Sequence, residues 1–583
     1  MKKHIIKFAS LLIISVSILF SGMPVSAAAT YRIPSAVRVG LYYKDGSVNT
    51  VLPVFDVSAE AGLLFGFMKD GDFSEIYREQ GASKLYVLKD AFYYGGDGAF
   101  KEYDPKTAGA GPSASSGKYG PFHIKIGKNC PDAESAEALA EEYRKSGAGA
   151  YVAYADEWQV WAGAYKDEAE AQKEAKKIKA VHKGDVFSVI TPSSNGVVLV
   201  NSKLQPLCAF DSNTSYFLIK PAPENNPPVI NIKGKLYRGE LEVRRQEGGN
   251  MTVVNIVTMQ EYLYGNVPSE IGGKSPAEAL KAQALVSKMY AINNLGKHAK
   301  AGFDLCPTTS CQVYKGYAAE VSECNKAIDE VKDKIITYDG KPAEQIFYFA
   351  SSGGRTEDVK NVWGSSYPYL VSVEDKYEKI FTWTKTLRAA DVKAMLPQLG
   401  DILGITVTGT AQSGRVTQLA VRGAKKSDPA IYSLEKTRTV FGLNSQLYTI
   451  TTDADVYVAA PAYTPTVTAS ASPKAIAGAS SEKPGSSAVS LPSGQTPLKT
   501  QLGGKKAVTA AGTVSLAGSG KKVILGADGK TNNVPEVPET YTFTGKGWGH
   551  AVGMSQEGAI GMGKAGFKYD EILTHYFQGT KIK

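Results

Sequence analysis

The stretch "AVRVGLYY" (Ala36 to Tyr43) alternates apolar with polar or small positions, and short apolar runs such as "TVLPVFDV" and "KLYVLKD" follow it. That pattern predicts β-strands through residues 31–115, an N-terminal β-rich region. A run of small residues, "TAGAGPSASSGKYG", then reads as a linker ending near Gly120. Beyond it the pattern repeats. "FHIKIG" (Phe122 to Gly127) precedes the Ala/Glu-rich "DAESAEALAEEYRKSG", and 36 residues after its start "WQVWAG" (Trp158 to Gly163) precedes "DEAEAQKEAKKIKA". The two helices run into "GAYVAYA" and "DVFSVI". Strand, helix, strand, repeated once, predicts a small ferredoxin-like βαββαβ domain over 119–190, both helices on one face of a four-stranded sheet.

From Val197 to about Ile450, strand-like runs surround one amphipathic helix. Ser275-Pro276-Ala277-Glu278 reads as an N-cap, a first-turn proline and a capping-box glutamate, with the helix continuing to about Leu295. Ala279, Ala282, Val286 and Met289 share its predicted buried face. Residues 459–540 are dominated by Ala, Ser, Gly, Pro and Thr and bury too little to offset their ordering entropy, so they read as a flexible insertion. Inside it, "KAVTAAGTVSLAG" and "KKVILGADGK" read as hairpin-forming. Residues 541–583 are too short for a core and are expected to rejoin the domain at 193–450. The fold class expected is α+β and multidomain.

Composition narrows the setting. The chain of 583 residues opens with Lys2, Lys3 and Lys7, an apolar run from Phe8 to Phe20, and Val25-Ser26-Ala27. Residues 1–27 read as a secretory signal peptide; the apolar run is shorter than the ~20 residues of a spanning helix, and the alternative is an uncleaved membrane anchor. An extracytoplasmic protein, secreted or associated with a bacterial cell wall, is expected, which disfavours ATP- or NAD-dependent chemistry. The net charge of +9 suits an anionic envelope, and no basic stripe marks a nucleic-acid partner. Five cysteines, Cys130, Cys208, Cys306, Cys311 and Cys324, are too few for a disulfide scaffold.

Glu270 lies in "NVPSEIGGKSP", just ahead of the predicted helix. Alone it would read as a solvent-exposed loop carboxylate. The ordered series "YRGELEVRRQEGGNMTVVNIVTMQEYLYGNVPSEIGG", "CQVYKG", "FYFASSGGRTED", "GSSYPYLVSVED" and "GWGHAVGMSQEGAIGMGKAGFKYDEILTHYFQGTKI" changes that. Over about 193–450 and 541–583 the chain resembles the SpoIID family of sporulation and cell-wall proteins, which includes the LytB amidase modifiers. The resemblance implies lytic transglycosylation of peptidoglycan glycan strands lacking stem peptides, with Glu270 at the family's catalytic glutamate. It also implies a glycan groove formed by Gln312, Tyr314, Ser351, Ser352, Gly353, Gly354, His550 and Gln556, and a cell-wall amidase as a further partner. The alternative it leaves is a LytB-type protein that binds glycan and stimulates an amidase without cutting. No cofactor is required. Residues 119–190 resemble a SPOR domain, a module that binds peptide-free peptidoglycan.

Two departures stand out. Ala551 replaces the second glycine of the family's Gly-His-Gly, and "SKMY" (Ser287 to Tyr290) stands where many members carry Arg-Thr-Tyr. Cys306 and Cys311, with His298 upstream, resemble a structural zinc site of some members, but Ser310 occupies the position where those place a histidine. Zinc, a Cys306–Cys311 disulfide and two free thiols all remain open at this point.

Overall fold

The computed structural model describes residues 33–106, 117–246, 249–458 and 537–583, with further backbone strands between 479 and 535. The signal-peptide segment 1–27 lies outside the described residues, as does most of 459–540. Within the latter, Lys506–Thr509 pairs with Gly512–Ser515 and Lys521–Leu525 with Thr531–Pro535, so the two stretches form separate hairpins.

The N-terminal strands do not form a region of their own. Val37–Tyr42 pairs antiparallel with Met251–Val257, and Gly62–Lys69 with Phe217–Pro221, in one six-stranded sheet. Leu85–Lys89 pairs with Val197–Val200 in a second sheet of ten strands. Residues 31–115 are thus interleaved with 193–257, which corrects the boundaries drawn from sequence. The reason lies in the strands: all four residues of Val197–Val200 are buried, and such a strand needs cover on both faces and partners on both edges.

The βαββαβ unit is present between these interleaved halves. Its strands lie in the order Phe187–Ile190, Phe122–Cys130, Trp158–Tyr165, Ala150–Tyr154, with helices Ala133–Lys145 and Glu168–Val181. Asp132 and Asp167 cap those helices by accepting from the Ser135 and Glu170 amides at 2.8 and 2.7 Å. The unit is not isolated: Ala150–Tyr154 pairs in parallel with Pro206–Phe210, so its sheet runs on into the ten-stranded one. Tyr151, Ala153 and Trp161 are buried with Tyr86, Leu88, Tyr93, Tyr119 and Val198 in one core cluster. His123 is fully buried there, stacked on Trp161 at 5.2 Å.

The functional core begins at Thr258, whose side chain and Glu261 form a capping box for the helix Met259–Val267. Pro268 has no N–H to extend the α-helical ladder, and the chain continues as a single π-helical turn, Pro268–Gly272. Glu270 is therefore carried on a helical turn braced at both ends, not on a loop. The next helix, Ala277–Asn293, lacks the expected cap. Ser275 Oγ instead donates to the Ile271 carbonyl at 2.8 Å, and Glu278 pairs with Lys281 and accepts from the Tyr569 amide at 2.9 Å. Ala279, Ala282, Val286 and Met289 are buried as expected, but so are Leu280, Gln283, Leu285, Ser287 and Lys288, so this is a central helix covered nearly all round. Lys288, within the departing "SKMY", donates to the carbonyls of Val331, Lys332 and Lys334 at 2.8, 2.6 and 3.0 Å. Its charge is satisfied by a loop end rather than by a carboxylate.

The C-terminal 43 residues complete this core. Thr540–Lys546 is the middle strand between Thr382–Arg388 and Tyr448–Thr452, and helices Gln556–Lys564 and Tyr569–Tyr576 pack on Ala277–Asn293. Among the described residues no helix is long and apolar enough to cross a membrane.

Candidate active site

Several segments distant in sequence converge on a cleft of about 740 Å³ whose lining includes Glu270, Tyr290, Cys311, Tyr348, Trp363, Glu435, Arg438, Trp548, His550 and Gln556. Glu270 Oε1 accepts a hydrogen bond from the Val313 N–H at 2.6 Å. The side chains of Tyr348, Gln556 and Asn266 also face its carboxyl group, and these donors favour the ionised form. Burial outweighs them and raises the Glu270 pKa above its ordinary value. Asn266 Oδ1 is itself buried with no hydrogen-bond partner. A protonated Glu270 would bring a donor to that neighbourhood.

Each neighbour is set by local structure. Tyr348 lies on the short strand Tyr348–Phe349, paired in parallel with Met554–Ser555, and its hydroxyl accepts from Gln312 Nε2 at 3.1 Å. Ser555 caps the helix Gln556–Lys564, placing Gln556 at its first turn, 3.4 Å from Gln283 Oε1. His550 packs against Phe349 and Trp363 at 5.6 and 4.9 Å and accepts from the Val552 N–H on Nδ1 at 3.1 Å. Burial, then the Arg438 charge, pushes its pKa down to about 4. At neutral pH it is an uncharged wall residue. Ala551, at φ 66°, takes up the left-handed conformation that a glycine would adopt without strain.

Of the groove residues expected from sequence, the cleft gathers Glu270, His550 and Gln556. Gln312 and Tyr314 stand behind the wall: both are buried, Gln312 accepts from Tyr262 at 3.0 Å, and the Tyr314 hydroxyl donates to Asn255 at 2.8 Å. Their role is to hold Tyr348 and the Val313 amide in place. Ser351, Ser352, Gly353 and Gly354 do not line the groove either. They wrap a buried carboxylate, Glu378, which accepts from Ser351 Oγ at 3.2 Å, from the Ser352 N–H at 2.7 Å, from the Gly354 N–H and from Ser555 Oγ at 3.3 Å. The positive φ of Gly353 and Gly354, 74° and 108°, lets the backbone close around it. Sequence reading missed Tyr348, Trp363, Arg438 and Trp548. The alternation in "IFYFAS" and the Glu-x-x-Arg spacing of "LEKTR" were the available signals for Tyr348 and Arg438.

Beside Glu378 lies a second buried carboxyl, Asp375, whose Oδ1 accepts from Tyr576 at 2.9 Å and whose Oδ2 has no partner. Burial, then repulsion from Glu378, pushes its pKa up to about 6 from the usual 3.8. The folded state then holds more protons than the unfolded chain between those two values. The stability Asp375 contributes is complete below the unfolded pKa and is lost as pH rises through about 6. Asp375→Asn should accordingly stabilise the protein at pH 8 by about 1–3 kcal/mol, with the gain shrinking towards pH 4. Urea unfolding of both proteins at the two pH values tests this, and a pH-independent difference would refute it.

At the edge of the cleft, the ligand atoms of His298, Cys306 and Cys311 lie within 4.8 Å of one another. All five cysteines are free thiols. His298 Nε2 is 3.3 Å from Cys311 Sγ, and its Nδ1 is bonded to Asp45, a carboxylate–histidine arrangement that orients a metal-binding imidazole. The Cys311 thiol lowers the pKa of Cys306, and its own is raised in return. Two sulfurs and an imidazole suit Zn²⁺, with three protein ligands present among the described residues.

Residues 247–338 match the family model described as SpoIID, stage II sporulation protein. The amidase enhancer of Bacillus subtilis (strain 168) is 29% identical over 370 residues, covering 62% of this chain and 46% of that protein. Stage II sporulation protein D of the same organism is 26% identical over 351 residues, covering 57% of this chain and 76% of that protein. Stage II sporulation protein D of Bacillus amyloliquefaciens is 26% identical over 348 residues, with 57% and 76% covered. The chain thus spans less than half the length of the amidase enhancer.

Proposed function

We propose that this chain is an extracytoplasmic lytic transglycosylase acting on peptidoglycan glycan strands that lack stem peptides. The observation that carries the reading is the one carboxyl group lining the cleft that, among the described residues, has no cationic partner. Glu270 has a raised pKa and faces open space, whereas Glu435, the other cleft carboxylate, accepts from Arg438 and from Trp363 Nε1 at 2.8 Å. Hydrolysis of glycosides generally uses two carboxyl groups. A transglycosylase needs one, because the substrate supplies the nucleophile.

In the first step the Glu270 carboxyl donates its proton to the glycosidic oxygen between N-acetylmuramic acid and N-acetylglucosamine, and the bond from that oxygen to muramic C1 breaks. The muramic C6 hydroxyl oxygen then bonds to C1, and its proton passes to the Glu270 carboxylate. The products are a new 4-hydroxyl end and a 1,6-anhydro ring, no water is consumed, and Glu270 is again protonated. Burial supplies the raised pKa that such an acid requires near neutrality. Tyr348 and Gln556 orient the carboxyl group, and Trp548, 51% exposed and 5.0 Å from Phe381, offers an aromatic surface to a sugar ring.

His298, Cys306 and Cys311 would hold zinc, which would cross-link the segment leading to Val313 and so steady that amide. The 119–190 unit is read as a SPOR-like anchor for the same peptide-free strands. Much of its sheet face away from the helices is core, so glycan would have to meet the helical face or an edge. A second reading is favoured by the relative named amidase enhancer: a protein that grips glycan and stimulates a cell-wall amidase. Mass spectrometry of peptide-free glycans incubated with the purified protein separates the readings. 1,6-Anhydro ends mean a transglycosylase, new reducing ends a hydrolase, and unchanged chains a binding protein.

A further inference from the structure

The wall of the cleft also carries a cation that the proton transfers do not use. Arg438 is 19% exposed at its side chain and lines the same cavity as Glu270. Its Nη2 donates to Glu435 Oε1, and Glu435 is fixed in turn by the Trp363 indole. Its Nε is buried with no partner, and among the described residues no protein acceptor is bonded to Nη1. A guanidinium serving only to brace Glu435 would not need to leave Nη1 without a protein acceptor beside a substrate cleft. His550, beside it, is neutral at working pH and does not compete for an anion.

Muramic acid carries a lactyl ether on O3. Its terminal carboxyl is an uncharged amide when a stem peptide is attached and a free carboxylate once the peptide has been removed. We infer that Arg438 is the specificity-determining residue of the cleft, recognising the free lactyl carboxylate of a muramic acid residue. The inference rests on the glycan-binding reading above and gives it a physical basis for choosing peptide-free strands. Only the free acid can pair its own negative charge with the Arg438 guanidinium; the amide of a peptide-bearing lactyl group offers a neutral carbonyl, a weaker acceptor, and Trp363 and the neutral His550 beside it add no further charge.

The test is a binding measurement, so that it does not depend on turnover. Full-length protein carrying Glu270→Gln is titrated with soluble peptide-free glycan oligosaccharides, and with the same oligosaccharides after conversion of the lactyl carboxylates to methylamides. The free acid should bind about tenfold to a hundredfold more tightly, the range of a hydrogen bond to a charged group. Adding Arg438→Met should bring that ratio to within about threefold while methylamide affinity changes little. Arg438→Gln, which keeps a polar stem against Glu435, is read in the same way should the methionine variant fail to fold. A parental ratio near one, a ratio unchanged by the substitution, or equal loss for both ligands overturns the inference. If the ratio behaves as expected but wild-type protein forms no anhydro ends, only the transglycosylase reading fails. If anhydro ends form equally from free acid and methylamide, only the Arg438 inference fails.

Discussion

Glu270→Gln is expected to lower the rate of 1,6-anhydro end formation by about 10⁴-fold or more while leaving glycan affinity nearly unchanged. General acid–base assistance is typically worth about 10²–10⁴. Here one group serves both proton transfers, so the loss should fall at or beyond the upper end. The amide retains an oxygen that can accept from the Val313 N–H, and it fits among Tyr348, Gln556 and Asn266. It has no acidic proton to donate and does not accept one from a sugar hydroxyl. Burial already disfavours the charged form of Glu270, so the neutral amide should not destabilise the π-helical turn. A matching melting temperature checks that point. A folded, glycan-binding Gln variant that forms anhydro ends within a few-fold of the wild-type rate would remove Glu270 from the mechanism.

The largest loss of stability is expected at Glu378. Replacing it with Ala strips an acceptor from the Ser352 and Gly354 amides and from the Ser351 and Ser555 hydroxyls. It also removes a nearby counter-charge from Arg415, which is 1% exposed and has Nε and Nη1 without partners. Breaking a buried charged cluster in this way costs about 3–5 kcal/mol. Relief of the repulsion on Asp375 offsets part of it, so a net loss of about 2–4 kcal/mol in urea unfolding is expected. Activity should fall as well, because Ser351 exchanges backbone hydrogen bonds with Trp548 and Ser555 precedes Gln556. A change below about 1 kcal/mol would show that the Ser-Ser-Gly-Gly loop closes without its carboxylate.

The parts of this architecture legible in sequence are those encoded locally. Asp132 and Asp167 sit at helix starts because their side chains reach the amides three residues on, and that signal is complete within a few positions. Glu270 stood out through its motif, and the helix after it through its apolar positions. The interleaving of 31–115 with 193–257 left no comparable trace, since strands such as Leu85–Lys89 do not encode which distant edge they join. Nor could spacing distinguish a glycine pair that approaches a ligand from one that closes around Glu378, a residue more than twenty positions downstream. The family resemblance places Tyr314 in the groove through its motif "CQVYKG". Its hydroxyl instead found Asn255, and that fixed it inside. The helix Ala277–Asn293 seemed one-sided in sequence because its second cover comes from residues 556–576, which lie beyond the long insertion.

That late arrival has a consequence in time. Glu270 emerges from the ribosome nearly three hundred residues before Gln556, an interval of tens of seconds at about 5–20 residues per second. Until then the strand Thr540–Lys546 is missing between its two neighbours, and His550, Trp548 and Gln556 do not yet exist to form the far wall. A nascent chain, or one cut short by a premature stop within the insertion, therefore carries the acid without the cleft. The order of synthesis makes the far wall of the cleft one of the last parts of the fold to be completed.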